Sequence, residues 1–317
     1  MNFLNDKIKE LESYLPPLTR RGNFDAFWQE TLSQANQVPL NSMKQEASSP
    51  FANVRVYDIT YNGYDNTAIH GWLLLPKGTG NSQIPCLIHY HGFGGNRGYP
   101  QDFAAWLLMG IAVLSVDCRE QTGETGNNSP TCGGYTGNLA CKGILDPYEY
   151  YFRAVYMDCI KAIDFIMTVQ EIDPKRIIVE GGSQGGAMAM AVSGLDSRPA
   201  LCLPEVPSNS NLERRVIGGH GSFSAVQEYL RLYPQRLEQV FETLSYFDIM
   251  NTAERIACPV LASVGLMDDV CPAECYFASF NRIKTEKYIK VYPFGIHECG
   301  KGIHFETMLY FVRERLL

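Results

Sequence analysis

The chain has 317 residues, of which 45% are hydrophobic and 19% charged, and its formal net charge is −7. This composition is ordinary for a soluble globular protein with a substantial core. The negative charge argues against nucleic acid or an anionic membrane surface as the main partner, and no apolar run approaches the length of a membrane span.

The first ten residues carry charges where a secretory signal peptide needs its apolar segment, so a cytoplasmic protein is expected. The ten cysteines are scattered, and several lie in apolar runs, which favours buried thiols in a reducing compartment. Cys271 and Cys275 are spaced to share a helix face, but no second pair of ligands stands nearby. We therefore expect no metal site.

Residues 1–50 are predicted to form an N-terminal arm that is helical up to about Val38. Its helix carries Phe24, Phe27 and Trp28 on one face, and Leu32 extends this face by another turn. Such a pattern predicts an amphipathic helix that packs on the outside of the core.

The rest of the chain alternates between strand and helix patterns, which predicts a parallel sheet flanked by helices. In order, we expect a hairpin over 54–75, a strand over 85–90, a helix around 103–107, a strand over 111–117, a helix over 146–166, a strand over 177–179, a helix over 187–192, strands over 201–207 and 259–265, a helix from about 272, a strand over 288–292 and a C-terminal helix.

Three further features complete this organisation. Asp146 and Pro147 are predicted to be the N-cap and the first-turn proline of the long helix. Residues 122–143 form a polar, Gly-rich loop, and a loop of this length is usually functional or part of an interface. Residues 209–248 have a mostly helical pattern and are interpreted as an insertion or lid within a single domain over 1–317.

The sequence Gly181-x-Ser183-x-Gly185 stands between a predicted strand and a predicted helix, which is the context of a nucleophile elbow. Glycine at both flanking positions removes Cβ atoms that would collide in so sharp a turn. The alternative is a Gly-rich turn that only packs a helix onto a strand. The serine hydroxyl would lie at a helix N-terminus, where free N–H groups point outward.

A serine becomes a nucleophile when an imidazole takes its proton and an acid orients the imidazole. In folds that carry a nucleophile elbow, these partners follow the serine along the chain in the order acid, then histidine, at the carboxyl ends of strands. Asp268 follows the strand over 259–265, and His297 follows the strand over 288–292. We therefore predict Asp268 as the acid, with Asp269 as the reserve, and His297 as the base.

The loop at 91–98 follows an early strand, where this fold places one oxyanion donor. We assign the backbone N–H of Phe93 to that role. The N–H of Gln184, which follows the serine, is assigned as the second donor.

The segments 181–186, 265–272 and 297–298 resemble the serine, aspartate and histidine motifs of the acetyl xylan esterase and cephalosporin-C deacetylase family, the seventh carbohydrate-esterase family. The resemblance extends over nearly the whole chain and includes residues 24–28, 91–93, 143–147 and 243–248. It implies an α/β-hydrolase fold and the removal of acetyl groups, without metal or cofactor, from hydroxyls of short xylo-oligosaccharides and of small molecules such as cephalosporin C. It also implies trimers paired as hexamers and a Ser183–Asp268–His297 triad.

Two positions differ from that family's pattern. Phe93 stands where the family typically has tyrosine. Phenylalanine keeps the backbone N–H but lacks the hydroxyl of tyrosine. The family's Arg-Gly-Gln motif is here Arg119-Glu120-Gln121, and Arg119 and Gln121 are expected to anchor the loop near the site.

Two other classes of function remain open at this point. A carboxylesterase of longer acyl preference or a peptidase would use the same three residues. An interaction-only protein of this fold would be expected to lack one of the triad or elbow-glycine positions, and all of them are present.

Overall fold

The computed structural model describes residues 2–78, 82–130, 133–134, 137–298 and 300–317. Within these ranges, nine strands form one sheet with ten accompanying α-helices. The strands are β1 Met43–Glu46, β2 Val54–Asn62, β3 Ala68–Pro76, β4 Ile84–Tyr90, β5 Ala112–Val116, β6 Ile172–Gly182, β7 Leu201–Glu205, β8 Val260–Gly265 and β9 Lys287–Tyr292. The helices are α1 Asn2–Glu12, α2 Phe24–Gln37, α3 Ala104–Leu108, α4 Tyr151–Ile166, α5 Gln184–Leu195, α6 Leu212–Gly218, α7 Ser224–Leu232, α8 Leu237–Phe247, α9 Ala273–Phe280 and α10 Lys301–Leu316.

The sheet has the order β1-β2-β3-β5-β4-β6-β7-β8-β9. The first four strands in this order pair antiparallel, and every pairing from β5 to β9 is parallel. The predicted mostly parallel sheet flanked by helices is confirmed. Because β4 and β6 are central neighbours, their carboxyl ends bring the loop after Tyr90 next to the turn after Gly182.

Both faces of the sheet are covered. Ile177 and Val179 of β6 belong to the core shared with α4 and α5, while Ile178 belongs to the core shared with α3 and α10. Successive side chains of a strand point to opposite faces, so a strand buried on both faces has an unbroken apolar run. The run at 177–179 is such a segment.

The N-terminal arm is helical as predicted, with α2 burying Phe24, Phe27 and Trp28. The indole Nε1 of Trp28 donates to the carbonyl of Tyr246 at 3.2 Å, which ties the arm to α8. The edge strand β1 was not predicted. Its four residues are all exposed, and only backbone pairing to β2 makes them a strand, so they carry no alternating pattern.

The predicted start of the long helix is wrong. Helix α4 begins at Tyr151, and the Asp146 carboxylate instead accepts the N–H of Tyr148 at 2.8 Å, two residues on. An aspartate before a proline therefore stabilises a local turn here, a role that competes with helix capping. After this turn the chain reaches Tyr151, whose N–H donates to the backbone carbonyl of Lys142 at 3.0 Å.

The segment 209–248 contains α6, α7 and α8, as its helical pattern predicted. Asp248 fixes both of its ends, because its carboxylate accepts the N–H groups of Asn211 (2.9 Å), Leu212 (2.7 Å) and Met250 (3.0 Å). Side chains of the arm and of this segment belong to the same apolar core as the sheet. We propose on this ground that residues 1–317 form a single domain.

The turn between β6 and α5 depends on two glycines. A Cβ atom built at Gly181 or at Gly185 would overlap the carbonyl oxygen of Tyr90, which lies at the end of β4. At Gly182, by contrast, an added Cβ would meet nothing within 4 Å. Of these three glycines, Gly181 and Gly185 are in direct contact with the backbone of β4, and Gly182 is not.

This contact predicts that Gly185→Ala is strongly destabilising, by about 3 kcal/mol or more, because rigid backbone would have to move. Gly182→Ala is the matched control and should stay within about 1 kcal/mol of the parent protein. Urea unfolding followed by circular dichroism measures both. Equal unfolding midpoints for the two variants would contradict the steric argument.

Candidate active site

Ser183 occupies a strained turn between β6 and α5, with φ 58° and ψ −116°. Such a conformation is costly for a residue with a Cβ and persists where its surroundings hold it in place. The Ser183 N–H donates to the carbonyl of Glu205 at 2.8 Å, and its carbonyl accepts the N–H groups of Ala187 (3.0 Å) and Ser208 (2.9 Å). The backbone of the turn is thus fixed from β7 and from α5.

Asp268 and His297 lie in the loops after β8 and β9 and are hydrogen-bonded to each other. The Nδ1 atom of His297 is 2.8 Å from Oδ2 of Asp268. The other carboxylate oxygen, Oδ1, accepts the N–H groups of Val270 at 2.9 Å and Cys271 at 2.8 Å. The Asp268 carboxylate is fully buried, whereas 29% of the His297 side chain is exposed. The acid is therefore held rigidly, and the imidazole is open to the solvent side.

Asp269, the reserve candidate, is exposed, and its backbone carbonyl contacts Nδ1 of His220 at 2.9 Å. His304 is buried in α10 beside Tyr292, with Nδ1 3.2 Å from the phenol oxygen. Burial lowers the pKa of His304 to about 4. Of the two aspartates considered, only Asp268 presents its carboxylate to His297.

Ser183, Gln184, Phe93 and His297 line one cavity of about 640 Å³ at the carboxyl edge of the sheet. The four positions come from three different loops, after β4, β6 and β9. The cavity has the size of a small-molecule site. Asp268 lies behind it, in contact with His297.

The backbone N–H groups of Phe93 and Gln184 are both available. Within the described part of the chain, neither donates a hydrogen bond to another protein group. The N–H of Gln184 is unpaired because it belongs to the first turn of α5, where helical N–H groups have no acceptor within the helix. Two such groups at one cavity can bind an oxygen that carries negative charge.

Gln121 connects the two segments that carry these N–H groups. Its Oε1 accepts the N–H of Gly94 at 2.7 Å, next to Phe93. Its Nε2 donates to Oε1 of Gln184 at 3.1 Å and to the hydroxyl of Tyr151 at 3.0 Å. Gln121 therefore holds the loop after β4 against the start of α5.

Arg119 lies outside the cavity and is fully buried. Its guanidinium donates to both oxygens of Asp158 at 2.7 and 2.8 Å and to both oxygens of Asp65 at 3.0 Å. Burial raises the pKa of Asp158. Burial also acts to raise the pKa of Asp65, but hydrogen bonds and charge from Arg119 outweigh it and hold that pKa well below its usual range. Arg119 thus joins this loop to α4 through Asp158.

Glu120, the departure from the family's glycine, has a left-handed φ of 57°. This conformation explains why glycine suits the position. The Glu120 carboxylate forms an ion pair with Lys142 and accepts from Asn127 Nδ2 at 2.6 Å. These contacts offset the strain and join the two ends of the loop over 122–143. Residues 131, 132, 135 and 136 of that loop lie outside the described residues.

Sequence reasoning missed most of the cavity wall. The residues not singled out are His89, Asn138, Phe152, Val206, Ser208, Asn209, Arg215, Ser222 and Val270. Five of these, from Val206 to Ser222 along the chain, follow β7 in or beside the helical segment 209–248, which is interpreted from the sequence as an insertion or lid. Position after a core strand was the only available signal.

Arg215 ties this helical segment to the loop of Asp268. Its side chain is buried and donates from Nη1 to the hydroxyl of Ser208 at 2.6 Å and from Nη2 to the carbonyl of Val270 at 2.8 Å. Two parts of the cavity wall are therefore held in a fixed relation.

Three wider observations complete the site. Among the described residues, no group of three or more His, Cys, Asp and Glu side chains is arranged to hold a metal ion. None of the described helices is both long and apolar enough to cross a membrane. The eight described cysteines are all buried.

Comparison with known proteins gives consistent matches over the whole chain. The family model described as acetyl xylan esterase matches residues 1–315. The acetyl esterase Axe7A of Xylanibacter ruminicola is 27% identical over 314 residues, which cover 95% of this chain and 69% of that protein.

Two solved structures are similar over nearly their full length. The acetyl xylan esterase from Paenibacillus sp. R4 is 40% identical with a TM-score of 0.93, and the match covers 97% of this chain and 99% of that one. The acetyl xylan esterase 1 from Thermoanaerobacterium sp. JW/SL YS485 is 29% identical with a TM-score of 0.91, covering 96% and 98%. The chain therefore belongs to the acetyl xylan esterase family, has the α/β-hydrolase fold and is a carboxylic ester hydrolase.

Proposed function

We propose that this esterase removes acetyl groups from the hydroxyls of short acetylated xylo-oligosaccharides and of small molecules such as cephalosporin C, through an acetyl-serine intermediate. The observation that carries the proposal is the hydrogen bond of 2.8 Å between His297 Nδ1 and the buried Asp268, at the cavity that Ser183 lines. A histidine with Nδ1 fixed by an acid has its Nε2 available as a base.

In the first step, His297 takes the proton of the Ser183 hydroxyl while the Ser183 oxygen attacks the acetyl carbonyl carbon. The N–H groups of Phe93 and Gln184 bind the oxyanion of the tetrahedral intermediate. The bond to the sugar oxygen then breaks, and His297 returns the proton to the leaving alcohol. The products of this step are the free hydroxyl and acetyl-Ser183.

In the second step, water takes the place of the alcohol. His297 accepts a proton from the water, whose oxygen attacks the acetyl carbonyl, and the same two N–H groups bind the new oxyanion. Collapse releases acetate, and the proton returns to the Ser183 oxygen. Asp268 keeps its hydrogen bond to Nδ1 of His297 and stabilises the charged imidazole. No metal or cofactor enters either step, as the family resemblance implies.

The cytoplasmic location remains part of the proposal. It is supported by seven cysteines that are free and buried, which fits a reducing compartment: Cys86, Cys118, Cys159, Cys202, Cys258, Cys271 and Cys275.

Ser183→Ala should reduce kcat/KM for 4-nitrophenyl acetate by about 10³-fold or more, because no group replaces the nucleophile. Ser197→Ala, at an exposed serine outside the cavity, is the matched control and should behave as the parent. A panel of acetylated xylo-oligosaccharides, cephalosporin C and aryl esters from acetyl to octanoyl then measures specificity.

The acetyl esters should be the best substrates of their series. A preference for octanoyl esters would assign the chain to another class of carboxylesterase, and cleavage of peptide substrates in preference to esters would make it a peptidase. Substantial turnover by Ser183→Ala would contradict the mechanism itself.

Gln121→Ala should lower kcat by about 10- to 100-fold with little change in KM, because a displaced oxyanion donor weakens transition-state binding alone. The exposed Gln101→Ala is the control for loss of a glutamine side chain. Steady-state kinetics with 4-nitrophenyl acetate separate the two constants. An unchanged kcat would show that Gln121 does not position the Phe93 loop.

We also propose a homo-oligomer, a trimer or hexamer by family resemblance. Exposed apolar side chains support it: Phe3 and Phe294 are each 86% exposed and line a groove of about 460 Å³ beside the loops of Asp268 and His297. Light scattering should give three or six times the chain mass, and Phe294→Asp should lower it. A monomeric mass for the unmodified protein would contradict the proposal.

A further inference from the structure

The cavity contains a second histidine that is paired with a carboxylate. His89 is the penultimate residue of β4, and its Nδ1 lies 2.6 Å from Oε2 of Glu180 on the neighbouring strand β6. The imidazole also packs edge-on against the ring of Phe103, with centroids 5.2 Å apart. These contacts fix the ring orientation, and the mechanism above uses neither His89 nor Glu180.

The other ring nitrogen of His89 is available to a ligand. Within the described ranges, Nε2 of His89 has no hydrogen-bond partner. Nε2 of His304 also has none but is fully buried, whereas Nε2 of His89 is not among the fully buried unpaired atoms. His89 lines the same cavity as Ser183 and His297. Because Nδ1 is occupied by Glu180, the free Nε2 is the atom that a bound substrate can reach.

The surroundings of His89 favour the protonated ring. Burial lowers the pKa of His89, but the charge and hydrogen bond of Glu180, with smaller effects of Glu205 and Asp102, outweigh it and leave that pKa above its usual value. Burial raises the pKa of Glu205, and the charge of Glu180 raises it further. The raised pKa of His89 favours its charged ring, which Glu180 contacts at 2.6 Å, and the raised pKa of Glu205 favours its neutral form. The cluster therefore suits a neutral hydrogen-bond acceptor better than an anion.

An acetyl group offers such a donor nothing to bind. Its only polar atom is the carbonyl oxygen, which the N–H groups of Phe93 and Gln184 bind in the proposed reaction, and the remainder is a methyl group. A charged N–H at the cavity wall therefore finds its partner on the alcohol part of the ester. In an acetylated sugar, that part carries neighbouring hydroxyls.

We propose that His89, held by Glu180, donates a hydrogen bond from Nε2 to a hydroxyl of the alcohol part of the substrate, and so selects acetyl esters of polyhydroxylated alcohols over acetyl esters in general. The inference rests on the proposed deacetylase function and names a specificity-determining residue within it.

The test compares acetylated xylobiose with 4-nitrophenyl acetate, which has no hydroxyl to offer. His89→Leu should raise KM for acetylated xylobiose by about 10- to 100-fold, the effect expected for loss of a hydrogen bond to a charged group. Turnover of 4-nitrophenyl acetate should stay within about threefold of the parent, since this substrate has no hydroxyl for His89 to bind in its transition state. His89→Gln, whose amide can still donate, should restore part of the loss.

Two controls keep the outcome interpretable. His70→Leu removes another histidine that lies near a glutamate, Glu124 at 3.5 Å, but outside this cavity, and should leave both substrates unaffected. His89→Leu alone leaves Glu180 buried without a partner, so His89→Leu/Glu180→Leu, which replaces both polar groups, serves if the single variant folds poorly. It should show the same substrate-specific rise in KM.

The pH dependence gives a second readout. The ratio of kcat/KM for the two substrates cancels any effect of pH that both reactions share. It should favour acetylated xylobiose at low pH and fall as His89 loses its proton. Glu180→Gln should move that fall to lower pH, because it removes the main charge that raises the pKa of His89. Burial lowers the pKa of His91, the other nearby histidine. The side chains of Glu205 and Asp102 are present both in the parent protein and in Glu180→Gln.

Several results would overturn the inference. An unchanged KM for acetylated xylobiose in His89→Leu excludes the contact, and an equal loss for both substrates makes His89 part of the common machinery. If the parent protein hydrolyses 4-nitrophenyl acetate but not acetylated xylobiose, the proposed function fails instead, and the variants are not the cause.

Discussion

The geometry of the site depends on a direct backbone contact between the end of β4 and the turn that carries Ser183. The Tyr90 carbonyl sits where side chains at Gly181 and Gly185 would be. This contact fixes where the chain after β4 can go: a Cβ at Gly92 would be 3.9 Å from the Cβ of Ser183. The proposed nucleophile and the loop that carries the proposed oxyanion donor Phe93 are therefore placed in large part by main-chain packing.

The Arg119 ion pairs act on this geometry from outside the cavity. Burying a guanidinium costs several kcal/mol unless hydrogen-bonded carboxylates compensate it, as Asp65 and Asp158 do here. The Tyr151 hydroxyl donates to the carbonyl of Arg119 at 2.6 Å and accepts a hydrogen bond from Nε2 of Gln121. The stability of the buried charge and the position of the loop after β4 are consequently coupled through one phenol.

Much of this arrangement could be predicted from sequence, because strand patterns are local and the order of residues along the chain is read directly. Asp268 and His297 follow recognisable strands, and the fold fixes which edge those strands share. The pair of His89 and Glu180 could not be predicted, because the two residues are 91 positions apart and stand inside apolar strand patterns. Strand β1 and the start of α4 were missed for a related reason: backbone pairing in one and a competing turn in the other leave no periodic signal.

The two histidine–carboxylate pairs of the cavity have opposite electrostatic surroundings. Oδ1 of Asp268, the oxygen that does not contact His297, accepts two backbone N–H groups. His297 therefore faces one carboxylate whose charge these N–H groups already partly neutralise. His89 faces Glu180 with Glu205 beside it, and no backbone N–H group of the described residues donates to either of these two carboxyl groups. A ring that must gain and lose a proton in each cycle suits the first environment, and a ring that must keep its proton suits the second. Under the two proposals above, the same pair of residue types supplies a base at one wall of the cavity and a hydrogen-bond donor at the other.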